Sequence, residues 1–291
     1  MLVRRYPVLV EPEELSKRIR DKDPSILIID VRREEEYMKE HIPNAVSLPL
    51  TRVIESMDTS ALARLFASIG LDIMSKDNDS KDNTMHVIVY DDTFGALASR
   101  VAWTIEYLGY EKVSLLAVTY SIWKELGFDV EYGKSNGSNS LIATSNSNNN
   151  NITSIKVNSS ILAEYEYIKN IVEGKVTKSR LLDVRERLNY LDNHIPNAIN
   201  IPWKAFSAED RILKSREDIS RLLRNRKISM SDEIVVYCGS VGTLSGLSYY
   251  ALRLAGYSNV RLYAKSLKEW RSLNLPLEGF KNAHYWDLSA E

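Results

Sequence analysis

Hydrophobic positions along this chain follow two spacings, and their order recurs. Short apolar runs rich in β-branched residues, Ile26-Leu27-Ile28-Ile29 and Val87-Ile88-Val89-Tyr90, read as buried parallel strands. Leu181-Leu182 and Ile234-Val235-Val236-Tyr237 are their counterparts in the second half. After the second strand of each half the spacing becomes helical: Leu97, Val101, Ile105 and Leu108 share one face, as do Leu244, Leu247, Ala251 and Leu254. Both helices should stop at a glycine that accepts a left-handed cap, Gly109 or Gly256, and a further strand should follow at 113–116 or 260–263. The pattern is β-α-β, twice over, and predicts an α/β protein with parallel sheets.

The duplication is written in residues as well as in pattern. Residues 41–45 and 194–198 both read His-Ile-Pro-Asn-Ala, and Asp30-Val31-Arg32 matches Asp183-Val184-Arg185 at the same offset of 153, as Pro49 matches Pro202. Further on the offset is 147, pairing Tyr90 with Tyr237, Gly109-Tyr110 with Gly256-Tyr257, Val113 with Val260 and Trp123 with Trp270. The first half therefore carries six extra residues, expected in the polar segment 75–84. Between the copies, Gly133-Lys134-Ser135-Asn136-Gly137-Ser138-Asn139-Ser140 and a run of four asparagines at 148–151 have linker composition. Glycosylation triplets occur at Asn136 and Asn151, but a solvated tether explains them without a secretory route. The expected organisation is an N-terminal domain at 1–132, a Ser/Asn-rich linker at 133–153 and a C-terminal domain at 154–291.

Composition narrows the function classes. With 44% hydrophobic and 26% charged residues among 291, the chain can bury two cores, and a formal charge of -1 with no basic block gives no case for nucleic acid. The start, Met1-Leu2-Val3-Arg4-Arg5-Tyr6-Pro7, lacks an apolar signal core, and no stretch is long enough to cross a bilayer. A cytoplasmic protein without membrane contact is expected. Four scattered histidines and one cysteine offer no metal-ligand spacing, so neither a metal nor another cofactor is expected.

That one cysteine, Cys238, directly follows the apolar run ending at Tyr237 and opens a loop of small residues, Gly239-Ser240-Val241-Gly242-Thr243. A free cysteine is more often a small buried hydrophobe than a nucleophile. Its place at the C-terminal end of a strand changes the balance, because open parallel sheets put ligands there. A strand running through a tight turn into a helix would aim the sulfur at backbone N–H groups of residues 239–243 and at the positive helix end, which favour an anion. With no second cysteine, an internal resolving disulfide is impossible, and any redox partner, an external thiol reductant such as thioredoxin, must come from outside.

The Asp-Val-Arg strand ends, the His-Ile-Pro-Asn-Ala blocks, the Tyr-Cys strand end with its loop and the Gly-Tyr…Trp tails, in register and nearly all duplicated, resemble the tandem-domain rhodaneses. These are the sulfurtransferases acting on thiosulfate or 3-mercaptopyruvate. The resemblance implies two similar domains, each a parallel sheet flanked by helices, joined here by the polar linker. It also implies catalysis in the C-terminal copy through a persulfide on Cys238. A small sulfur donor would load the cysteine, and cyanide or a thiol would remove the sulfur. Asp91 stands where Cys238 stands in the second copy. A carboxylate cannot carry a sulfane sulfur, so the first domain should be catalytically silent and form a wall of the cleft.

The resemblance places Arg185 at the cleft, where a guanidinium can grip a carboxylate or sulfonate; the alternative is an arginine merely paired with Asp183. Asp30 and Asp183 are expected to anchor the turns that follow them. His41 and His194, present in both copies, are expected to be structural, and Trp123, Trp270 and Tyr237 to be core. Gly239-Ser240 resembles the mercaptopyruvate enzymes, whereas thiosulfate enzymes carry basic residues there; Val241-Gly242 departs from the family's usual order. Two other classes stay open at this stage. A cysteine phosphatase or arsenate reductase needs Cys-x5-Arg, but Leu244 stands six after Cys238. A non-catalytic rhodanese-like interaction module would not need the cysteine.

Overall fold

In the computed structural model, residues 6–56, 58–73, 85–134 and 155–280 are described. The expected insertion at 75–84, nearly all of the linker and both glycosylation triplets lie outside them. The chain divides into two compact units: residues 1–158 with Asp210–Ile212, and residues 159–209 with 213–291.

Unit 1 runs β1 (Leu9–Val10), α1 (Pro12–Arg20), β2 (Ile26–Asp30), α2 (Glu34–Lys39), β3 (Val46–Ser47), α3 (Leu50–Glu55), α4 (Thr59–Ala67), β4 (His86–Tyr90), α5 (Ala96–Tyr107), β5 (Val113–Leu116) and α6 (Tyr120–Glu125). Its sheet has the order β1-β5-β4-β2-β3, and every pairing is parallel. Alternate strand residues point to opposite faces. Ile28, Ile88, Tyr90 and Leu116 meet Leu15, Tyr37 and Trp123 in one core cluster, while α5 covers β4 and β5.

Unit 2 repeats the plan with α7 (Tyr165–Val172), β6 (Ser179–Asp183), α8 (Arg187–Asp192), β7 (Ile199–Asn200), α9 (Arg216–Asn225), β8 (Glu233–Tyr237), α10 (Thr243–Leu254), β9 (Val260–Leu262) and α11 (Ser266–Ser272). The sheet order is β7-β6-β8-β9, again parallel throughout. Leu162 makes a single parallel bridge to Leu262, at the edge where unit 1 has β1. Leu181, Val235 and Tyr237 pack with Ile168, Leu191 and Trp270 in one core cluster.

Parallel strands buried on both faces explain why the strand sequences are continuous apolar runs rather than alternating ones. The two glycine stops take the left-handed conformation, with φ of 93° at Gly109 and 97° at Gly256. Trp123 and Trp270 are core residues, 1% and 0% exposed. Sequence reading finds the four central strands and both long helices, and β9 ends at Leu262 rather than at Tyr263. It does not find β1, β3 or β7, which are two residues each.

The repeated His-Ile-Pro-Asn-Ala block is a structural device. His41 Nδ1 lies 2.8 Å from Tyr37 O and its ring stacks on Tyr37 at 3.9 Å; His194 has the same two contacts with Tyr190. The N–H of Ile42 donates to the Tyr90 hydroxyl and that of Ile195 to the Tyr237 hydroxyl, both at 3.1 Å. Asn44 and Asn197 take φ of 64° and 65°, a left-handed turn position that asparagine tolerates better than most side chains. The block thereby ties the turn after α2 or α8 to the end of the central strand.

Candidate active site

At the C-terminal edge of each sheet two strand ends lie side by side, and the register is the same in both units: Asp30 is paired with Tyr90, and Asp183 with Tyr237. Asp183 is 0% exposed. It accepts from Arg185 N at 3.0 Å and grips the guanidinium through Nε at 3.0 Å and Nη2 at 2.6 Å. Arg185 Nη2 also donates to Asn193 O at 2.6 Å. Asp183 thus anchors the turn, as expected from sequence, and orients the arginine as well. Burial works against the charged guanidinium, but the hydrogen bonds and charge of Asp183 outweigh it and hold Arg185 above its ordinary pKa. Nη1 donates to no protein group among the described residues, which leaves one edge of the fork for a ligand.

Asp30 and Arg32 reproduce this geometry in unit 1, with one difference. The ring of Tyr120 lies over the Arg32 guanidinium at 3.7 Å. At the matching place unit 2 has Leu267. Among the described residues an aromatic face covers the arginine of the first copy only.

Cys238 follows β8. It is 2% exposed, while Gly239 and Ser240 beside it are exposed. The Ser266 hydroxyl stands 3.6 Å from Sγ; it accepts from Cys238 N at 3.1 Å and donates to Tyr263 O at 2.9 Å. The thiol is therefore buried beside a polar group and not among hydrocarbon alone. A β-carbon added at Gly239 would lie 4.0 Å from Arg185 Cδ, which puts the start of the loop against the arginine. Gly242 is the N-cap of α10 with φ 77°, as Gly95 is of α5 with φ 79°. The Val-Gly order that departs from the family places the glycine where the backbone is left-handed.

The first copy displays what this loop holds. Asp91, at the position of Cys238, is 1% exposed. Its carboxylate accepts from four backbone N–H groups: Thr93 and Gly95 at 2.8 Å on one oxygen, Leu97 at 2.7 Å and Ala98 at 2.8 Å on the other. Four convergent amides and the positive end of a twelve-residue helix form an anion cradle. Moved by 147 residues, the corresponding N–H groups are those of Ser240, Gly242, Leu244 and Ser245, while the hydrogen-bonding group found at Cys238 Sγ is the Ser266 hydroxyl. In the first copy the cradle reaches the third residue of the helix, Ala98, two positions beyond the counterpart of Thr243.

Three polar residues near the strand ends went unnoticed in the sequence: Ser266, Ser245 and Asn200. Asn200 Nδ2 donates to Asp183 O and Arg185 O, both at 2.9 Å, and so clamps the turn that carries the arginine. The signal available was the difference between the copies, since their counterparts are Thr119, Ala98 and Ser47. Among the described residues no group of three or more His, Cys, Asp or Glu could hold a metal ion. No helix among them is long and apolar enough to cross a membrane.

The rhodanese-like domain family matches this chain twice, at residues 11–126 and 164–273. The chain belongs to that family. Curated relatives aligned over nearly the whole length include the 3-mercaptopyruvate sulfurtransferase of Escherichia coli strain K12, 28% identical over 281 residues, 89% of this chain and 94% of the relative. They also include the thiosulfate sulfurtransferase of Rattus norvegicus, 25% identical over 293 residues, 91% and 92% of the two chains. The fold is shared with the solved 3-mercaptopyruvate sulfotransferase SseA from Escherichia coli, at TM-score 0.70 and 23% identity, covering 88% of this chain and 97% of that one. Within the family the chain is an enzyme of the sulfurtransferase class.

Proposed function

We propose that this protein moves one sulfane sulfur from 3-mercaptopyruvate, or less readily from thiosulfate, to cyanide or a thiol through a persulfide on Cys238. The observation that carries the reading is the pair of strand-end loops. One holds a carboxylate in four backbone amides. The matching loop, with the same left-handed glycine at its helix N-cap, follows the one thiol in the chain. Burial holds the Asp91 carboxyl above its ordinary pKa, and the four amides work against that burial in favour of the charged form; amides placed in the same way around Cys238 would favour the thiolate, the form that attacks sulfur.

With 3-mercaptopyruvate, the Cys238 thiolate attacks the donor sulfur, the new S–S bond forms and the C–S bond breaks. Its electron pair goes to the donor carbon, which takes up the proton released from the donor thiol and leaves as pyruvate. With thiosulfate the S–S bond breaks and sulfite departs with the pair. An acceptor thiolate or cyanide then attacks the terminal sulfur and regenerates Cys238, a double displacement with a covalent intermediate. An external thiol reductant such as thioredoxin is the natural partner for a persulfide with no resolving cysteine, in a reducing cytoplasm.

Arg185 supplies donor recognition through its unengaged Nη1 edge, and residues 239–243 line the approach. The loop carries no cation, which favours a donor whose carboxylate reaches the arginine over one whose charge sits beside the sulfur. Unit 1 has no nucleophile and is the silent copy. A phosphatase would need a guanidinium where Leu244 stands. The deciding experiment is a side-by-side rate assay with the two donors, using Cys238→Ser as control. Turnover should be faster with 3-mercaptopyruvate and absent in the variant; retained turnover there would refute the assigned nucleophile and leave an interaction module as the better reading.

A further inference from the structure

One buried hydroxyl at the nucleophile loop has no role in the chemistry above. Ser245 is 0% exposed, and its Oγ has no hydrogen-bond partner. An unpaired hydroxyl in the interior is costly, and alanine would avoid the cost. The silent copy has alanine at this place, Ala98.

Its location follows from the same comparison. The N–H of Ala98 donates to Asp91 Oδ2 at 2.8 Å, so the third residue of that helix abuts the side chain that follows the strand. Ser245 is the third residue of α10 and stands at the position of Ala98 after the same shift of 147. In a helix the Cα–Cβ bond tilts toward the N-terminus, the end of α10 that follows the Cys238 loop. The hydroxyl found at the thiol, that of Ser266, is already engaged with Cys238 N and Tyr263 O. The resting site therefore holds one committed hydroxyl and one without a partner. Adding a sulfur atom to Cys238 extends the side chain by one bond into the cradle and brings a negative charge with it.

We propose that the Ser245 hydroxyl is the hydrogen-bond donor to the transferred sulfur of the Cys238 persulfide, and that it selects for the loaded state over the free thiol. The inference rests on the sulfurtransferase reading given above. Ser245 keeps its proton throughout; it acts by a charge-assisted hydrogen bond.

The test compares the full-length protein with Ser245→Ala and Ser245→Thr. Each is loaded with 3-mercaptopyruvate or thiosulfate, the persulfide is followed by intact-protein mass spectrometry, and thermal unfolding is recorded in parallel. Ser245→Ala should unfold at the same or a higher temperature, because an orphaned hydroxyl has been removed. Its persulfide should form or survive about ten-fold less well, the scale of one hydrogen bond to a charged group. Ser245→Thr, which keeps the hydroxyl, should stay near the parent; if its methyl unfolds the unit, Ser245→Cys, a weaker donor of similar volume, should fall between parent and alanine. A merely structural serine predicts unchanged loading and lifetime in the alanine variant, and that result overturns the proposal. Failure of the parent protein to take up sulfur from either donor would overturn the sulfurtransferase reading and this inference with it, whereas equal loading of parent and Ser245→Ala would overturn this inference alone.

Discussion

The paired carboxylates Asp30 and Asp183 allow one substitution to be made twice in the same molecule, with different consequences. Asp183→Asn keeps the side-chain shape and removes the charge that faces a guanidinium only 10% exposed. Removing one partner of a buried ion pair costs about 3–5 kcal/mol, because the other charge stays buried without compensation. Asp30→Asn removes the equivalent partner of Arg32, 6% exposed. There the Tyr120 ring at 3.7 Å still covers the guanidinium, and a desolvated cation–π contact returns about 1–2 kcal/mol. The loss in unit 1 should therefore be the smaller by that amount. Segment-resolved hydrogen exchange reads the opening free energy of each unit separately. Activity should separate the two more sharply. Without Asp183 the Arg185 fork is no longer held against the loop, and misplacing a substrate anchor by about 1 Å costs on the order of a hundred-fold in rate. Asp30→Asn should leave turnover per folded molecule unchanged. Equal activity losses from both substitutions, or a stability loss from Asp183→Asn below about 1 kcal/mol, would refute the division between a donor-gripping arginine and a structural one.

Further outcomes follow from the loop and from acid titration. Gly242→Ala forces a β-carbon into a left-handed N-cap with φ 77° and should cost about 1–2 kcal/mol in chemical unfolding. Gly239→Ala meets only Arg185 Cδ at 4.0 Å and should change stability by less than about 0.5 kcal/mol. In unit 1 the hydroxyl and N–H of Ser25, helped by Arg18, hold the Asp23 carboxyl down at about 2 against an ordinary 3.8. A folded pKa below the unfolded one gives stability that is present above the ordinary value and lost as pH falls toward 2. Asp23→Asn should therefore flatten the acid limb of the unfolding curve between about pH 4 and 2; an unchanged limb would contradict the assignment.

What could be read from the sequence follows the strength of local signals. Apolar runs of four or more residues and helices of three turns announce themselves, so β2, β4, β8, α5 and α10 were legible. The sheet order was not, because it depends on which long-range pairings close. The two-residue strands β3 and β7 exist through their neighbours Asp30 and Asp183 more than through any propensity of their own. At the candidate site, Cys238 was legible as the one thiol at a strand end, and Arg185 as the residue after a duplicated Asp-Val. Ser245 and Ser266 were not, since a serine in a helix or a turn carries no signal until its surroundings are known. Asp91 is the instructive case. From sequence it marks only an absence of chemistry, while in the structure its four amide contacts display the cradle on which the reading of Cys238 rests.

The central claim is that Cys238 carries the sulfur, and the most direct measurement is the intact mass of the protein after brief exposure to 3-mercaptopyruvate and removal of the donor. A gain of one sulfur atom, mapped to Cys238, abolished in Cys238→Ser and reversed by cyanide, is the predicted result. An unchanged mass while pyruvate accumulates, or sulfur retained in the Cys238→Ser variant, would contradict it.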